Sequence, residues 1–488
     1  MFLILLLVLV VLIAVILRRN SDYWKKRGIV QEDGVIWKFV FGNCSLAEVY
    51  KSVYDKYSEP NVGIFLASKP ALLLRDLENV QTVLAGDFQS FYSRGISFSP
   101  DDKLADNVLF IEDFGRWKVI RQKISPVFTT AKLKNMFYIL DRCARDFSEN
   151  IADHVDFKRK PFNCLYTYTA ASIGASVFGI DTKTKNTMDS PFLDMTSQAT
   201  SPSFIGNLLF TFANTFPTFF KYLGLKAFGQ YEKFFIDVVR NVMDSRKKDT
   251  VNRHDFIDIC LQIQEQGIMK DSTTGYELEP SVEILAAQAF FFFVAGVDTS
   301  ATTLHFTLIE LSNNPDILNR VHKEIDTVFE GCDDKLTYND VEKLQYLEMV
   351  ANEAMRKYPP IGLIQRKCTK PTTLPVGNVK LLEGDLCIIP VYGIHRDERY
   401  YQNSELFDPE RFSPENISKL PKFGYLPFGE GNRICLGSRF ARLQVLAGLA
   451  WLLHRYTLVP QTLKLERFEK SVFSLRVPDS RYDLVPRN

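Results

Sequence analysis

The segment Phe428-Gly429-Glu430-Gly431-Asn432-Arg433-Ile434-Cys435-Leu436-Gly437 sets one cysteine in a glycine-rich turn, with an arginine two residues before it. The pattern F-x-x-G-x-R-x-C-x-G fixes five positions, a coincidence expected in about one chain in ten thousand at ordinary residue frequencies. A thiolate in such a turn can bind a haem iron from one face and push electron density toward it, which favours O–O cleavage on the other face. The neighbours suit that chemistry. Cys435 precedes a predicted helix whose N-terminal dipole favours negative charge. Gly429, Gly431 and Gly437 let the loop turn tightly and bring backbone N–H groups near the sulfur. Arg433 carries a fork that matches a carboxylate such as a haem propionate. The plainer alternative is an inert buried cysteine in a glycine loop.

Other groups that could do chemistry lie upstream. Ala295-Gly296-Val297-Asp298-Thr299-Ser300 falls inside a predicted helix, where a glycine and a threonine cost stability and a threonine can bond back and bend the helix. Its small residues leave room for a bulky group and dioxygen, and Asp298 and Thr299 form an acid–alcohol pair suited to relaying protons. Glu353 and Arg356 share a helix face at i and i+3. Exposed, such a pair contributes only ~0.3–0.5 kcal/mol, and Glu430 and Arg433 have the same spacing. Trp117 and Arg121 stand at i and i+4, which alone reads as a cation–π or surface pair. Arg366 follows ten residues after Arg356 and is a further candidate for a carboxylate ligand.

In this order and company these segments resemble the cytochrome P450 family. The Cys435 segment looks like its haem-binding loop, Ala295 to Ser300 like its oxygen-activation motif, and Phe407-Asp408-Pro409-Glu410-Arg411-Phe412 like its P-E-R-F segment. The resemblance covers essentially the whole chain after the N-terminus. It implies a mainly α fold with minor β around haem b (iron protoporphyrin IX), Cys435 as the axial iron ligand, and Phe428, Arg433 and Gly437 in the cofactor loop. It implies Trp117, Arg121 and Arg366 at the haem propionates and Asp298 and Thr299 in oxygen activation. Arg411 would join Glu353 and Arg356 in a structural network. The reaction implied is monooxygenation of a lipophilic substrate, with electrons from NADPH delivered by NADPH-cytochrome P450 reductase, and with cytochrome b5 as an optional partner. Within the family the likeness is to animal microsomal members of the xenobiotic-metabolising kind, insect ones in particular. One departure is Lys26-Arg27-Gly28-Ile29-Val30, which lacks the Pro-Pro-Gly-Pro-like hinge that microsomal members often carry after the anchor.

The elements that must position these groups read mostly as helices, at 117–136, 230–248, 280–312, 316–329, 341–357 and 438–454. Strand signals lie at 62–65 and 71–74, a plausible hairpin, and at 374–391 and 471–485. Residues 2–17 contain only Phe, Leu, Ile, Val and Ala, and are followed by Arg18, Arg19, Lys25, Lys26 and Arg27. We read residues 1–19 as a retained signal-anchor and 20–488 as one haem-binding catalytic domain facing the cytosol from the endoplasmic reticulum membrane, with Tyr23 and Trp24 at the lipid interface. Eight scattered cysteines without CxxC spacing argue for a reducing compartment, and a net charge of +1 gives no argument for nucleic acid. The Phe-rich stretch 203–228 reads as core or as a membrane-dipping lid. Residues near 96–109, 290–299, 361–364 and 472–473 are expected to line an apolar substrate pocket. Arg116, Lys118, Lys123 and Arg439 flank the proximal motifs as a basic patch for an acidic flavoprotein, or as a solvated face.

Rival readings are weaker. His395-Arg396-Asp397 and Asp113-Phe114-Gly115 echo kinase motifs, but in reversed order and without a G-x-G-x-x-G loop, so His395 is read as structural. A haem-thiolate isomerase or dehydratase would dispense with Asp298-Thr299, and a haem sensor would not need every motif intact. Steroid, fatty acid and plant toxin remain equally open as substrates.

Overall fold

The structure, a computed structural model, describes residues 22–66, 69–151, 160–179, 209, 211–213, 216–248, 253–463, 465, 467–477 and 481–487. The expected anchor at 1–19 and much of the first half of the 203–228 stretch lie outside these residues. The elements used below are, in chain order, α1 (Val35–Phe41), α2 (Leu46–Lys56), β1 (Asn61–Leu66), β2 (Lys69–Leu74), α3 (Phe114–Ile124), α4 (Thr130–Asn150), α5 (Pro161–Phe178), α6 (Pro217–Tyr222), α7 (Gly229–Arg246), α8 (Val282–Asn313), α9 (Pro315–Phe329), α10 (Gln345–Lys357), β3 (Ile364–Lys367), β4 (Leu386–Ile389) and α11 (Ser438–Arg455). The mainly helical fold with small sheets is the expected one.

The centre is α8, 32 residues long and started by Ser281, whose side chain accepts the Ile284 N–H. It is long and apolar enough to cross a membrane, yet most of it is buried inside the protein. A helix that is apolar all round needs partners all round. They are chiefly α5, α7 and α10, while α11 covers α4 and touches both α5 and α8. At one crossing α11 carries Gly448, where an added Cβ would lie 2.5 Å from the buried Tyr168 ring of α5. The Tyr168 hydroxyl donates to Gln444 O at 2.7 Å, one turn away on α11. Glycine inside a helix costs about 0.5–1 kcal/mol relative to alanine, and here it permits that approach.

A second apolar cluster surrounds a four-stranded sheet of order β1-β2-β4-β3. The expected β1–β2 hairpin forms with Asn61 opposite Leu74, and β2 then pairs in parallel with β4. Trp24 departs from expectation. It is fully buried, lies against Gly63, and donates its indole N–H to Ile64 O at 3.1 Å. Tyr23 donates to Asp385 at 2.7 Å. Both residues therefore tie the N-terminal segment to the sheet rather than standing at a lipid interface.

Three spans are corrected. The helix expected at 117–136 is α3, a 3-10 turn at Ser125–Phe128 and α4, because Pro126 cannot continue the ladder. The stretch 374–391 carries Thr372–Leu374, Val379–Leu381 and β4, interrupted at Gly377, Asn378 and Gly384, all with positive φ. Of 471–485, the described residues hold only a bridge at Ser474 and the start of a strand, Leu484–Pro486, paired with Tyr456–Leu458.

Gly448→Val should destabilise the protein by about 1–3 kcal/mol through overpacking against Tyr168. Denaturant unfolding checks this, and a wild-type midpoint would show that the α5–α11 crossing does not depend on the missing side chain.

Candidate functional site

The Cys435 loop is held from both ends. Leu426 N donates to His395 Nε2 at 2.7 Å, Gly429 N to Leu426 O at 3.1 Å, Ile434 N to Gly431 O at 3.0 Å and Cys435 N to Phe428 O at 2.9 Å. Gly429 and Gly431 have φ of 71° and 74°, a region that disfavours side chains. At Gly431 a Cβ would also sit 2.0 Å from Leu84 O. Gly437 is different. It has φ −86° as the N-cap of α11, so the backbone turn does not require glycine there. Cys435 is exposed and lines a cavity of about 1020 Å3. Burial pushes the thiol pKa up, opposed by the Gly437 N–H and by the charges of Arg121 and Arg94. No group of three or more His, Cys, Asp or Glu gathers among the described residues.

Arg366 and Arg433 are buried, and Arg94 and Arg121 are half-buried. All four line the cavity. Burial lowers each guanidinium: Arg433 to about 8, helped by Arg94 and Arg121, and Arg94 to about 10, helped by Arg121. Arg121 is lowered by burial, and Arg366 falls well below its ordinary value through burial and then the charges of Arg94 and Arg433. Among the described residues none of the four forms an ion pair. Glu112, the acid that acts on Arg433, is engaged by Lys367 at 3.0 Å and by the Ser93 and Ser97 hydroxyls. The Nε atoms of Arg94, Arg366 and Arg433, and Trp117 Nε1, are buried without a hydrogen-bond partner among the described residues. Arg433 stacks 4.2 Å above the Trp117 ring and donates to Val108 O and Ile111 O, while Arg121 donates to Ile434 O at 2.7 Å. Several desolvated cations with idle donors fit a ligand bearing carboxylates. With a thiol on the same cavity, the residues present fit a haem. The motifs pointed to Trp117, Arg121, Arg366 and Arg433. Arg94 was missed, because it stands in no helix or motif. Its one local signal is the following Gly95, which has φ 71°.

On α8, Ala295, Gly296, Asp298 and Thr299 line the same cavity. Thr299 Oγ1 bonds back to Ala295 O at 2.7 Å, but the helix runs on without a break. Gly296 also serves packing, since a Cβ there would lie 2.5 Å from Ile173 of α5. Asp298 forms a buried ion pair with Arg476, which the sequence did not single out. Burial pushes its carboxyl upward while Arg476 and the Ser474 hydroxyl pull it down. Phe290, Phe291 and Phe292 reach the cavity, while Phe293 packs against Phe178 and Phe235. The expected lining segments near 96–109, 361–364 and 472–473 all contribute.

Glu353 and Arg356 are fully buried and joined at 2.7 Å, with Arg411 Nε 3.5 Å from Glu353. Arg356 also donates to His395 O and Ser404 O, both at 2.7 Å. Since Leu426 N must donate to His395 Nε2, the Nδ1–H donates to Arg356 O, at 3.1 Å, and the ring is neutral. The basic patch is partly spent: Arg116 pairs with Asp106 and Lys118 with Asp271, whereas Lys123 bonds to Gln266 and Arg439 is exposed.

Two outcomes follow from this geometry. Gly431→Ala should lower both thermal stability and haem retention, since the left-handed backbone alone costs about 1–2 kcal/mol and Leu84 O blocks the methyl. Unfolding scans with haem quantitation decide, and a variant that retains both would show that the loop adapts. Burial, then the charge of Arg356, lowers His395 to about 3 from an ordinary 6.5. Below pH 6.5 the unfolded chain binds a proton that the folded chain refuses. The contribution is therefore complete above about pH 6.5 and is lost progressively as pH falls toward 3. Melting temperature against pH should fall less steeply in His395→Asn, and an identical slope would clear His395 of that role.

A family model described as cytochrome P450 matches residues 34–485. Among curated proteins, the chain is 34% identical over 473 residues to a protein named probable cytochrome P450 6a13 of Drosophila melanogaster, covering 95% of this chain and 92% of that one. It is 33% identical over 458 residues to cytochrome P450 6B2 of Helicoverpa armigera, covering 91% and 89%. It is 35% identical over 473 residues to cytochrome P450 9e2 of Blattella germanica, covering 90% and 88%. By this match and these identities the chain belongs to the cytochrome P450 family, whose members are haem monooxygenases.

Proposed function

We propose that Cys435, as its thiolate, is the axial iron ligand of haem b, and that Trp117, Arg121, Arg366, Arg433 and Arg94 hold the propionates. The observation that carries this reading is the convergence of four guanidinium groups, without an acid partner among the described residues, on the cavity that exposes the thiol. When bound, the haem supplies the site that activates dioxygen for insertion of one oxygen atom. Phe428 and Gly437 complete the cofactor loop. Asp298 and Thr299 carry protons toward the oxygen, and Glu353, Arg356 and Arg411 hold the proximal core. Residues 20–488 act as one catalytic domain.

The lining supplied by 96–109, 290–292, 361–364 and 472–473 is Phe, Ile, Leu and Val, which suits a lipophilic substrate. Insect relatives in the 6 and 9 groups support xenobiotic metabolism as the physiological setting. Electrons come from NADPH through a reductase docked on the Cys435 side, where Lys123 and Arg439 remain the basic residues best placed to meet it. Attachment to the endoplasmic reticulum membrane, catalytic domain toward the cytosol, is supported by the apolar N-terminal run and by exposed apolar side chains. These are Trp37 and Phe41 on α1, and Phe219 and Tyr222 on α6. They would rest on lipid.

The test is the carbon monoxide difference spectrum of the reduced protein in membranes. A red-shifted Soret band is expected for the wild type and its loss for Cys435→Ala, together with NADPH-dependent product formation. A Cys435→Ala protein with full activity would exclude the assignment.

A further inference from the structure

Asp298 and Arg476 meet from different parts of the fold. Asp298 lies on α8, and Arg476 follows the loop that carries Val472, Phe473 and Ser474 into the cavity. Their side chains are 11% and 5% exposed, so the ion pair is almost wholly desolvated. The Ser474 hydroxyl acts on the same carboxylate. Arg476 also stands 5.6 Å over the Phe162 ring at the start of α5.

The loop is a stiff unit. Ser471 Oγ accepts the N–H groups of Phe473 and Ser474 at 3.2 and 3.1 Å. Leu475 N donates to Pro360 O at 3.2 Å, Ser474 bridges to Ile361, and Glu469 N donates to Arg476 O at 2.8 Å. The part that lines the cavity, Val472 to Ser474, is therefore only two residues from the guanidinium that grips Asp298. The other half of the acid–alcohol pair is held differently, since Thr299 bonds to its own helix.

We propose that Arg476 is a positioning residue for proton delivery, tying the acid Asp298 to the loop that forms the substrate wall. This rests on the haem monooxygenase reading above. A carboxylate clamped by a buried guanidinium does not swing toward the cavity until the clamp shifts, and the clamp shifts when its loop does. Substrate pressing on Val472 and Phe473 thereby sets where Asp298 points. The consequence lies in how reducing power is spent. The coupled reaction is RH + O2 + NADPH + H+ → ROH + H2O + NADP+, with two electrons from NADPH passing through a flavoprotein reductase. The uncoupled one is O2 + NADPH + H+ → H2O2 + NADP+, with RH unchanged. Misplaced protons favour the second.

The experiment uses the full chain with a reductase and whichever alkoxycoumarin, fatty acid or steroid the wild type turns over fastest. Arg476→Met should lower product per NADPH by about threefold or more, within the range expected for contacting residues, with peroxide making up the difference. Its spectral dissociation constant for the same compound should stay near wild type. Arg476→Lys, which keeps the charge, should restore most of the coupling. Asp298→Asn should uncouple to a similar degree, and the double variant should be no worse than Asp298→Asn alone. The stability of the same variants gives a readout independent of turnover. Arg476→Met strands a buried carboxylate and should lower the melting temperature, and adding Asp298→Asn should recover part of that loss. Wild-type coupling in Arg476→Met, or additive effects of the two substitutions on both readouts, would overturn the proposal. If Arg476→Met does not fold, Arg476→Lys and the double variant decide by the same criteria. Failure of the underlying reading shows separately, as a wild type without a red-shifted carbon monoxide band, and the melting-temperature cycle still tests the pair.

Discussion

Taking a guanidinium and a carboxylate out of water costs several kcal/mol per ion, and their attraction offsets this only when the remaining donors and lone pairs are also used. Glu353 and Arg356, both fully buried, satisfy that condition chiefly with backbone, with the Arg411 guanidinium 3.5 Å from Glu353. Arg356 takes the carbonyls of His395 and Ser404, and Glu353 takes the N–H of Asp408. Those groups belong to an irregular stretch with no long helix or strand to order it. The ion pair is thus the fixed point from which this stretch hangs. His395 passes the constraint on: one ring nitrogen faces Arg356 O and the other receives Leu426 N, two residues before Phe428, whose carbonyl receives the N–H of Cys435. The sulfur is located by this relay as much as by its own loop.

The arginines around the cavity bear the same desolvation without the same compensation. They depress one another, and several of their donors have no partner among the described residues. The thiol beside them is also strained, because burial resists its ionisation. A fold that tolerates excess cation and a reluctant thiolate on one cavity is complementary to a ligand that brings carboxylates and a metal cation together. Binding such a ligand relieves both, so its affinity adds directly to the stability of the folded chain.

What the sequence made legible was local. The Cys435 loop was readable because positive-φ glycines must be glycine, and α8 and α11 because their apolar content has a helical length. Long-range partners were not readable. Trp24, beside five basic residues, looked like an interfacial aromatic, but its partners at Gly63 and Ile64 are set by sheet topology. Arg94 stands outside every motif and reaches the cavity only because residues 94 and 433 are brought together, Arg94 donating to Arg433 O at 3.2 Å. Gly437 looked like a turn residue, yet its φ of −86° is open to any residue. In the 117–136 stretch the apolar pattern ran past Pro126, which was visible and is what ends α3.

The polar side chains of α8 explain why the cavity has the walls it has. On a helix otherwise apolar, most buried polar groups find a partner outside the helix or bond back to it. Gln288 reaches Asp106 O and receives Val108 N, fixing the segment that carries Val108 and Leu109 into the cavity. Glu310 takes Lys357 and the Tyr358 hydroxyl at the end of α10, both at 2.8 Å. His305 donates to Val477 O at 3.0 Å, one residue beyond Arg476, which grips Asp298. The substrate-wall loop is therefore fastened to the central helix at two adjacent residues, through groups two helical turns apart. A loop fastened in this way cannot slide along α8 without breaking two buried polar contacts at once.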